Sequence, residues 1–193
     1  MLSVSPPSSF AIDVPNALLA RARRGEPAAF EQLYRWFERP VYTLALRLTG
    51  RREEAQDILQ DTMLKLFDRL SEFRGDAPFW GWLRQITVNE SLMQLRRRGR
   101  FLGVDEFNEA DFAAQDLLLP PRAADAAILG QALARLPGAT RSVLWLYHAE
   151  GYTHEEIAAA MGKSISFSKS QLARGTRKLR GMLRLDIEEI AHG

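Results

Sequence analysis

GYTHEEIAAAMGKSISFSKSQLARGTRKLR, residues 151–180, places a short helical pattern and a longer basic one on either side of a glycine. Thr153 and Glu156 have the spacing of a capping box, which satisfies two backbone N–H groups at the start of a helix. Gly162 suits the C-terminal cap of that helix, because glycine adopts the left-handed conformation at little cost. A tight turn then leads to Ser166, a suitable N-cap for a second helix. The stretch predicts a helix-turn-helix.

The second helix of this motif carries a single polar stripe with residues at i, i+4, i+7 and i+8 from Ser170. In helix-turn-helix proteins the second helix enters the major groove, where its side chains meet base edges and phosphates. An ordinary helical hairpin with a solvated basic face remains the alternative. The candidate DNA-contacting residues are Lys169, Ser170, Gln171, Arg174, Arg177 and Lys178.

A linker before the motif divides the chain into two helical units. Apolar residues recur at helical spacing on both sides of Pro137-Gly138, which predicts two more helices beside the motif. Upstream of them, residues 101–127 lose this periodicity, contain Pro120-Pro121 and are acidic, which is typical of a linker. The acidic residues that dominate the linker are Asp105, Glu106, Glu109, Asp111 and Asp116.

The N-terminal half also has helical periodicity. A first helix starts at Pro27, is expected to end or kink at Pro40, and resumes as a second part up to Gly50. A second, strongly amphipathic helix has Ala55, Ile58, Leu59, Thr62, Met63, Leu66, Phe67 and Leu70 on its apolar face. Its opposite face carries Asp57, Gln60, Asp61, Lys65 and Asp68.

A third region, FWGWLRQITVNESLMQLRRRGR at residues 79–100, combines aromatic residues with an arginine cluster. Its pattern predicts one helix from Phe79 and another from about Asn89. Trp82 lies on the apolar face and is expected in the core. Trp80 lies off that face and is expected to be exposed.

The expected fold is all-α, with two small helical domains joined by a flexible acidic linker. The predicted divisions are an N-terminal tail with the start of the first helix (1–25), a first domain (26–100), the linker (101–127), a helix-turn-helix domain (128–185) and a C-terminal tail (186–193). No strand pattern competes with the helical periodicity.

Composition excludes several functional classes. The 193-residue chain has no cysteine, which removes disulfides, thiolate zinc sites and cysteine nucleophiles. The three histidines lack metal-ligand spacing, and no phosphate loop or nucleophile elbow occurs. No apolar run reaches the roughly 18 residues that cross a bilayer, and the N-terminus lacks the features of a secretion signal. We therefore expect a cytoplasmic protein without enzymatic activity, metal, cofactor or membrane insertion.

Taken in order, these motifs resemble the extracytoplasmic-function (ECF, group IV) sigma factors, which are specificity subunits of bacterial RNA polymerase. The resemblance covers roughly residues 26–185. The segments that carry it are FEQLYRWFERPVYTLALRLTG, EEAQDILQDTMLKLF, FRGDAPFWGWLRQITVN, EGYTHEEIAAAMGKS and RKLR.

The resemblance implies that the first domain melts and reads the minus-ten promoter element while the second reads the minus-thirty-five element. Asn89 matches the family's asparagine in the loop that captures a flipped base, although a helix cap would also explain it. Stacking on an exposed Trp80 would offset part of the cost of base-pair separation. The minus-ten residues implied are Trp80, Asn89 and the phosphate-binding Arg96, Arg97, Arg98 and Arg100.

The resemblance also implies protein partners. Asp57, Gln60 and Asp61 match the family's surface for the coiled coil of the largest polymerase subunit, with a solvated helix face as the alternative. Core RNA polymerase, through its largest and second-largest subunits, promoter DNA and an anti-sigma factor are the expected partners. The acidic linker is expected to occupy a cationic channel of the polymerase, because carboxylates resemble phosphates electrostatically.

The recognition helix departs from the family at three places: Phe167-Ser168, Gln171 and Gly175. These departures predict an unusual minus-thirty-five preference. A conventional helix-turn-helix regulator, which binds duplex DNA without joining polymerase, remains the main alternative. Such a regulator has no need for Trp80, Asn89 or the Asp57 face.

Overall fold

The computed structural model describes residues 10–99 and 123–192, with the side chains of residues 123–127 and 184–192 left aside. Over those residues the chain is helical and contains no strand, which confirms the predicted all-α class. The helices are α1 (Asn16–Arg23), α2 (Pro27–Thr49), α3 (Arg52–Arg69), α4 (Phe79–Arg97), α5 (Ala123–Ala134), α6 (Gly138–His148), α7 (His154–Met161) and α8 (Ile165–His192).

Helices α2, α3 and α4 pack against one another and form the core of the N-terminal half. Leu33, Phe37, Leu66 and Leu83 are fully buried between them. Burying one such side chain contributes about 1.5–3 kcal/mol. Helix α1 covers one edge of this bundle, so part of the predicted N-terminal tail is a separate helix.

The predicted division of the first helix at Pro40 is wrong, because α2 continues through it to Thr49. Proline in a helix interior removes one backbone hydrogen bond and costs roughly 3 kcal/mol. Phe37, Val41 and Leu44, on either side of Pro40, are buried. Their burial offsets the cost of the proline.

The predicted break before Asn89 is also wrong, since α4 is a single helix. The hydroxyls of Thr87 and Ser91 donate to the carbonyls four residues earlier, at 3.0 and 2.8 Å. These bonds satisfy polar groups that are buried inside the helix. Asn89 is therefore neither in a loop nor at a helix cap.

The helix-turn-helix follows its predicted caps with one correction. Thr153 and Glu156 form the capping box, and Gly162 ends α7 with φ of 62°. Helix α8 begins at Ile165, and the residue before it, Ser164, accepts the Phe167 N–H at 3.1 Å. Ser164, and not Ser166, is therefore the N-cap. Helix α8 then continues through most of the predicted C-terminal tail.

Gly175 allows α8 to pack closely on α6. A Cβ atom at this position would lie 2.6 Å from Thr140 Cγ2 and 2.7 Å from Leu144 Cδ1. Gly181, farther along the same helix, has open space where its Cβ would be. The close approach of α6 thus explains why glycine occupies position 175, although glycine lowers the stability of a helix.

We expect Gly175→Ala to lower the free energy of unfolding by about 1–3 kcal/mol, because the new methyl group forces α6 and α8 apart. Gly181→Ala should instead raise it by up to about 1 kcal/mol through helix propensity alone. Chemical denaturation followed by circular dichroism measures both. Equal stabilisation by the two substitutions would contradict the close packing.

Candidate nucleic-acid interface

The first turns of α8 present a basic surface. Lys169, Arg174, Arg177 and Lys178 are exposed, whereas Ser170 is half-buried. The Ser170 hydroxyl donates to the Phe167 carbonyl at 2.9 Å and lies 3.5 Å from the Arg174 guanidinium. Four cationic side chains are therefore available to a polyanion along one helix.

Two residues of α8 that depart from the family pattern contact the neighbouring helices. Gln171 accepts a hydrogen bond from the Thr140 hydroxyl on α6 at 2.6 Å. Ser168 is fully buried, and its hydroxyl lies 2.9 Å from His154 Nδ1 on α7. Gln171 was predicted among the DNA-contacting residues, but its side-chain oxygen is turned toward the supporting helix.

Both tryptophans at the start of α4 are half-buried. Trp82 contacts Phe73 and Phe79, with ring centroids 5.5 and 5.8 Å away. Trp80 lines a shallow pocket between the N-terminal segment and the loop before α4, and the Arg84 guanidinium lies 5.4 Å from its ring. Trp80 is thus less exposed than expected.

Asn89 is exposed on α4, one turn after Gln85. Its Oδ1 accepts a hydrogen bond from Gln85 Nε2 at 3.1 Å. Gln85 and Arg84 share this face with Asn89 and were not identified from the sequence. The spacing of four residues between Gln85 and Asn89 is the signal that could have found Gln85.

The arginine cluster lies at the C-terminal end of α4. Arg96, Arg97 and Arg98 are exposed, and Arg98 pairs with Glu54 at 3.2 Å. Arg96 donates to the Ala160 carbonyl of α7 at 2.9 Å. Arg100, also predicted to bind DNA, and the acidic residues of the linker lie outside the described residues.

The acidic face of α3 is accessible, since Asp57, Gln60 and Asp61 are all exposed. Beside them, Leu64 and Phe67 are 63% and 60% exposed. The expected inward position of Phe67 is wrong, because its ring lies at the edge of the bundle against Phe30, with centroids 4.7 Å apart. Leu64 follows Gln60 and Asp61 at helical spacing, so an apolar extension of this face was detectable.

Other kinds of site find no support among the described residues. No group of three or more histidine and carboxylate side chains could hold a metal ion in that part of the chain. None of the helices in the described ranges is long and apolar enough to cross a membrane.

Two family models match the chain in sequence order. Residues 33–101 match sigma-70 region 2, and residues 126–179 match sigma-70 region 4. The first range contains the acidic face of α3 and all of α4. The second contains the helix-turn-helix.

Curated proteins and solved structures give the same result. The chain is 32% identical to the RNA polymerase sigma-H factor of Pseudomonas aeruginosa, over 81% of this chain and 87% of that one. It is 35% identical to the ECF RNA polymerase sigma factor SigM of Mycobacterium tuberculosis, over 86% and 83%. The sigma factor RpoE from Bartonella quintana, solved in complex with the anti-sigma factor NepR, matches with a TM-score of 0.56 and 27% identity. That match covers 81% of this chain and 98% of RpoE.

Proposed function

This chain belongs to the extracytoplasmic-function (ECF) family of RNA polymerase sigma factors, and from this membership we propose how its parts share the work of transcription initiation. The chain binds core RNA polymerase and directs it to promoters. Its second half reads minus-thirty-five DNA, and its first half melts and reads the minus-ten element. The observation that carries the proposal is the order of the two matches, region 2 followed by region 4.

The minus-thirty-five contact is assigned to the exposed side of α8. The guanidinium of Arg174 can bond a guanine edge through two donors, and one such contact discriminates bases by about 1–3 kcal/mol. Lys169, Arg177 and Lys178 bind phosphates and add affinity without sequence preference. Ser170 adds one hydroxyl, whereas Gln171 acts by holding α8 on α6.

The minus-ten contact is assigned to α4. Unpairing and unstacking a base costs a few kcal/mol, and stacking on an aromatic face returns about 1–3 kcal/mol per base. Trp80 supplies the aromatic face, and the Asn89 amide pairs with the edge of an unpaired base. Arg96, Arg97, Arg98 and Arg100 hold the backbone phosphates of this region.

The polymerase contact is assigned to the exposed face of α3. Asp57, Gln60 and Asp61 form a row of acidic and amide groups, which complements a basic helix of the largest subunit. Leu64 and Phe67 extend this row with apolar surface that becomes buried on binding. The second-largest subunit of the polymerase is a further partner in this proposal.

We further propose regulation by an anti-sigma factor, because RpoE of Bartonella quintana was solved with one. The chain catalyses no reaction itself and needs no cofactor or metal, since the polymerase performs the chemistry. Its place of action is the cytoplasm, where polymerase and chromosome meet.

Run-off transcription with purified core polymerase tests the proposal. The chain should direct transcripts from specific start sites that core alone does not produce. A conventional regulator would bind duplex promoter DNA by itself and would yield no such transcripts. That second result would replace the proposed function with the alternative.

Arg174→Ala should relax the minus-thirty-five preference and lower transcription from the preferred sequence by about 10- to 100-fold, because one bidentate base contact is lost. Arg180→Ala, an exposed arginine two turns later, removes the same charge and should have a smaller effect that is uniform across sequences. A promoter library randomised at the minus-thirty-five element measures both. An unchanged sequence preference in Arg174→Ala would exclude its role in base reading.

A further inference from the structure

The two halves of the chain contact each other at two places: α6 packs against the end of α2, and α7 with the loop before it packs against the face of α4 that carries the candidate minus-ten residues. We propose that the free protein has a closed state in which the second half restricts access to this face of α4, and that Arg141 holds it closed. The inference rests on the proposed function, because it concerns access to the same minus-ten residues.

Arg141 on α6 joins the two halves directly. It is only 5% exposed, and its guanidinium donates to the Leu48 carbonyl at 3.2 and 3.3 Å and to the Thr49 carbonyl, both at the end of α2. The same guanidinium donates to the carbonyls of Ala134 and Leu136 in its own half at 3.4 and 3.2 Å.

The chemistry of this contact is specific to arginine. The last carbonyls of a helix have no partner within the helix and carry partial negative charge. A planar guanidinium with five donors can satisfy carbonyls from two helix ends at the same time, which an ammonium on a single atom cannot do. The Ser142 hydroxyl adds a further bond to the Leu48 carbonyl at 3.2 Å.

The turn after α2 is shaped around Arg141. Gly50 ends α2 with φ of 75°, a conformation that L side chains rarely adopt. A Cβ atom on Gly50 would lie 2.7 Å from the Arg141 guanidinium carbon. The guanidinium therefore packs directly on the glycine backbone, and a larger residue would displace it.

A second contact surrounds Arg84 on α4. Its guanidinium lies 5.4 Å from the Trp80 ring and 5.5 Å from the Tyr152 ring, so it links an aromatic residue of each half. It also lies 3.4 Å from the Glu150 carboxylate, whose side chain is only 6% exposed. Glu150 also acts on Arg47 of α2. Burial lowers the pKa of the Arg47 guanidinium, and the negative charge of Glu150 partly opposes this decrease.

A third contact reaches Asn89. The Tyr152 hydroxyl donates to Gln85 Oε1 at 2.9 Å, and Gln85 Nε2 donates to Asn89 Oδ1 at 3.1 Å. Arg96 is bonded to the Ala160 carbonyl of α7. Residues Trp80, Asn89 and Arg96 are thus each connected to the second half, directly or through one neighbour.

Closure has a direct consequence for DNA binding. Asn89 is exposed, but in the closed state Gln85, held by Tyr152, occupies its amide oxygen. Residues within 150–160 line the space beside it. A base therefore has restricted access to the Asn89 edge until the second half moves away. The apparent affinity of the free chain for unpaired minus-ten DNA is therefore reduced by the fraction of molecules that are open. Weakening the Arg141 contact should raise that fraction and with it the apparent affinity.

Two measurements on the full chain test closure. The chain has no cysteine, so Gln32→Cys and Glu155→Cys, both at exposed positions, allow specific spin labelling across the halves. The doubly labelled chain with Arg141 intact should give one narrow distribution of distances between the two labels. The same chain with Arg141→Ala should give a broader distribution shifted to longer distances. Binding of a fluorescent single-stranded minus-ten oligonucleotide should become about tenfold tighter in Arg141→Ala. Arg135→Ala, an exposed arginine close by, is the matched control.

Tyr152→Phe is a second test that remains available if Arg141→Ala does not fold, because it removes only the hydroxyl bonded to Gln85. It should tighten oligonucleotide binding by about two- to fivefold at unchanged helical content. A broad distance distribution in the parent chain, or both variants behaving like Arg135→Ala, would overturn closure. Promoter-specific transcription in that case would leave the proposed function intact, whereas its absence in the parent and in both variants would refute the function itself.

Discussion

Holoenzyme carrying Asn89→Ala is expected to transcribe its promoter about 10- to 100-fold less efficiently, both on duplex DNA and on a template already unpaired at the minus-ten element. In the proposed function the Asn89 amide reads an unpaired base and discriminates between bases by about 1–3 kcal/mol of binding free energy, whether or not the enzyme had to melt the DNA. Single-round transcription on the two templates measures the loss.

Trp80→Ala provides the contrast within the same helix. Its stacking energy offsets base-pair separation, so its defect should be large on duplex DNA and mostly relieved on the unpaired template. Thermal unfolding checks that the half-buried ring has been removed without loss of the fold. If premelting rescued Asn89→Ala to the same degree, Asn89 would contribute to melting and not to base reading.

Reversing two charges on α3, in Asp57→Lys with Asp61→Lys, is expected to weaken binding to core polymerase by at least about 100-fold. The exposed acidic row would then meet the basic partner helix with like charges, which costs several kcal/mol. Competition for core against a labelled copy of the parent chain measures this affinity. The minus-thirty-five sequence preference of the full-length variant should be unchanged, because both substitutions lie outside the helix-turn-helix.

The control for this variant lies on the neighbouring helix. Glu38 is exposed on α2, and Glu38→Lys changes the charge in the same direction away from the acidic row. It should reduce the affinity for core by no more than about twofold, through long-range electrostatics alone. The control changes the net charge by half as much as the double variant, so a loss of about tenfold in the control would show that net charge, and not this face, determines binding.

The sequence predicted well those features that depend on neighbouring residues. The capping box at Thr153 and the glycine cap at Gly162 are local hydrogen-bonding patterns, so their spacing was sufficient. The amphipathic pattern of α3 likewise located a helix whose exposed side includes Asp57 and Asp61.

The sequence failed where packing between distant segments decides the structure. Pro40 was expected to divide a helix that buried neighbours keep intact, and Phe67 was expected inside although it lies at the rim. The contact of Gln171 with Thr140 could not be seen in the sequence, because Thr140 lies on another helix. The contact of Arg141 with Leu48 spans 93 residues, a separation at which periodicity carries no information.

In the proposed function this chain opens promoter DNA only as part of the polymerase. Permanganate footprinting of a duplex promoter, which detects unpaired thymines, measures this directly. We predict reactive thymines at the minus-ten element with holoenzyme, and none with core or with the chain alone. Tight protection of fully paired DNA by the chain alone, with no reactive thymines when core is added, would contradict it.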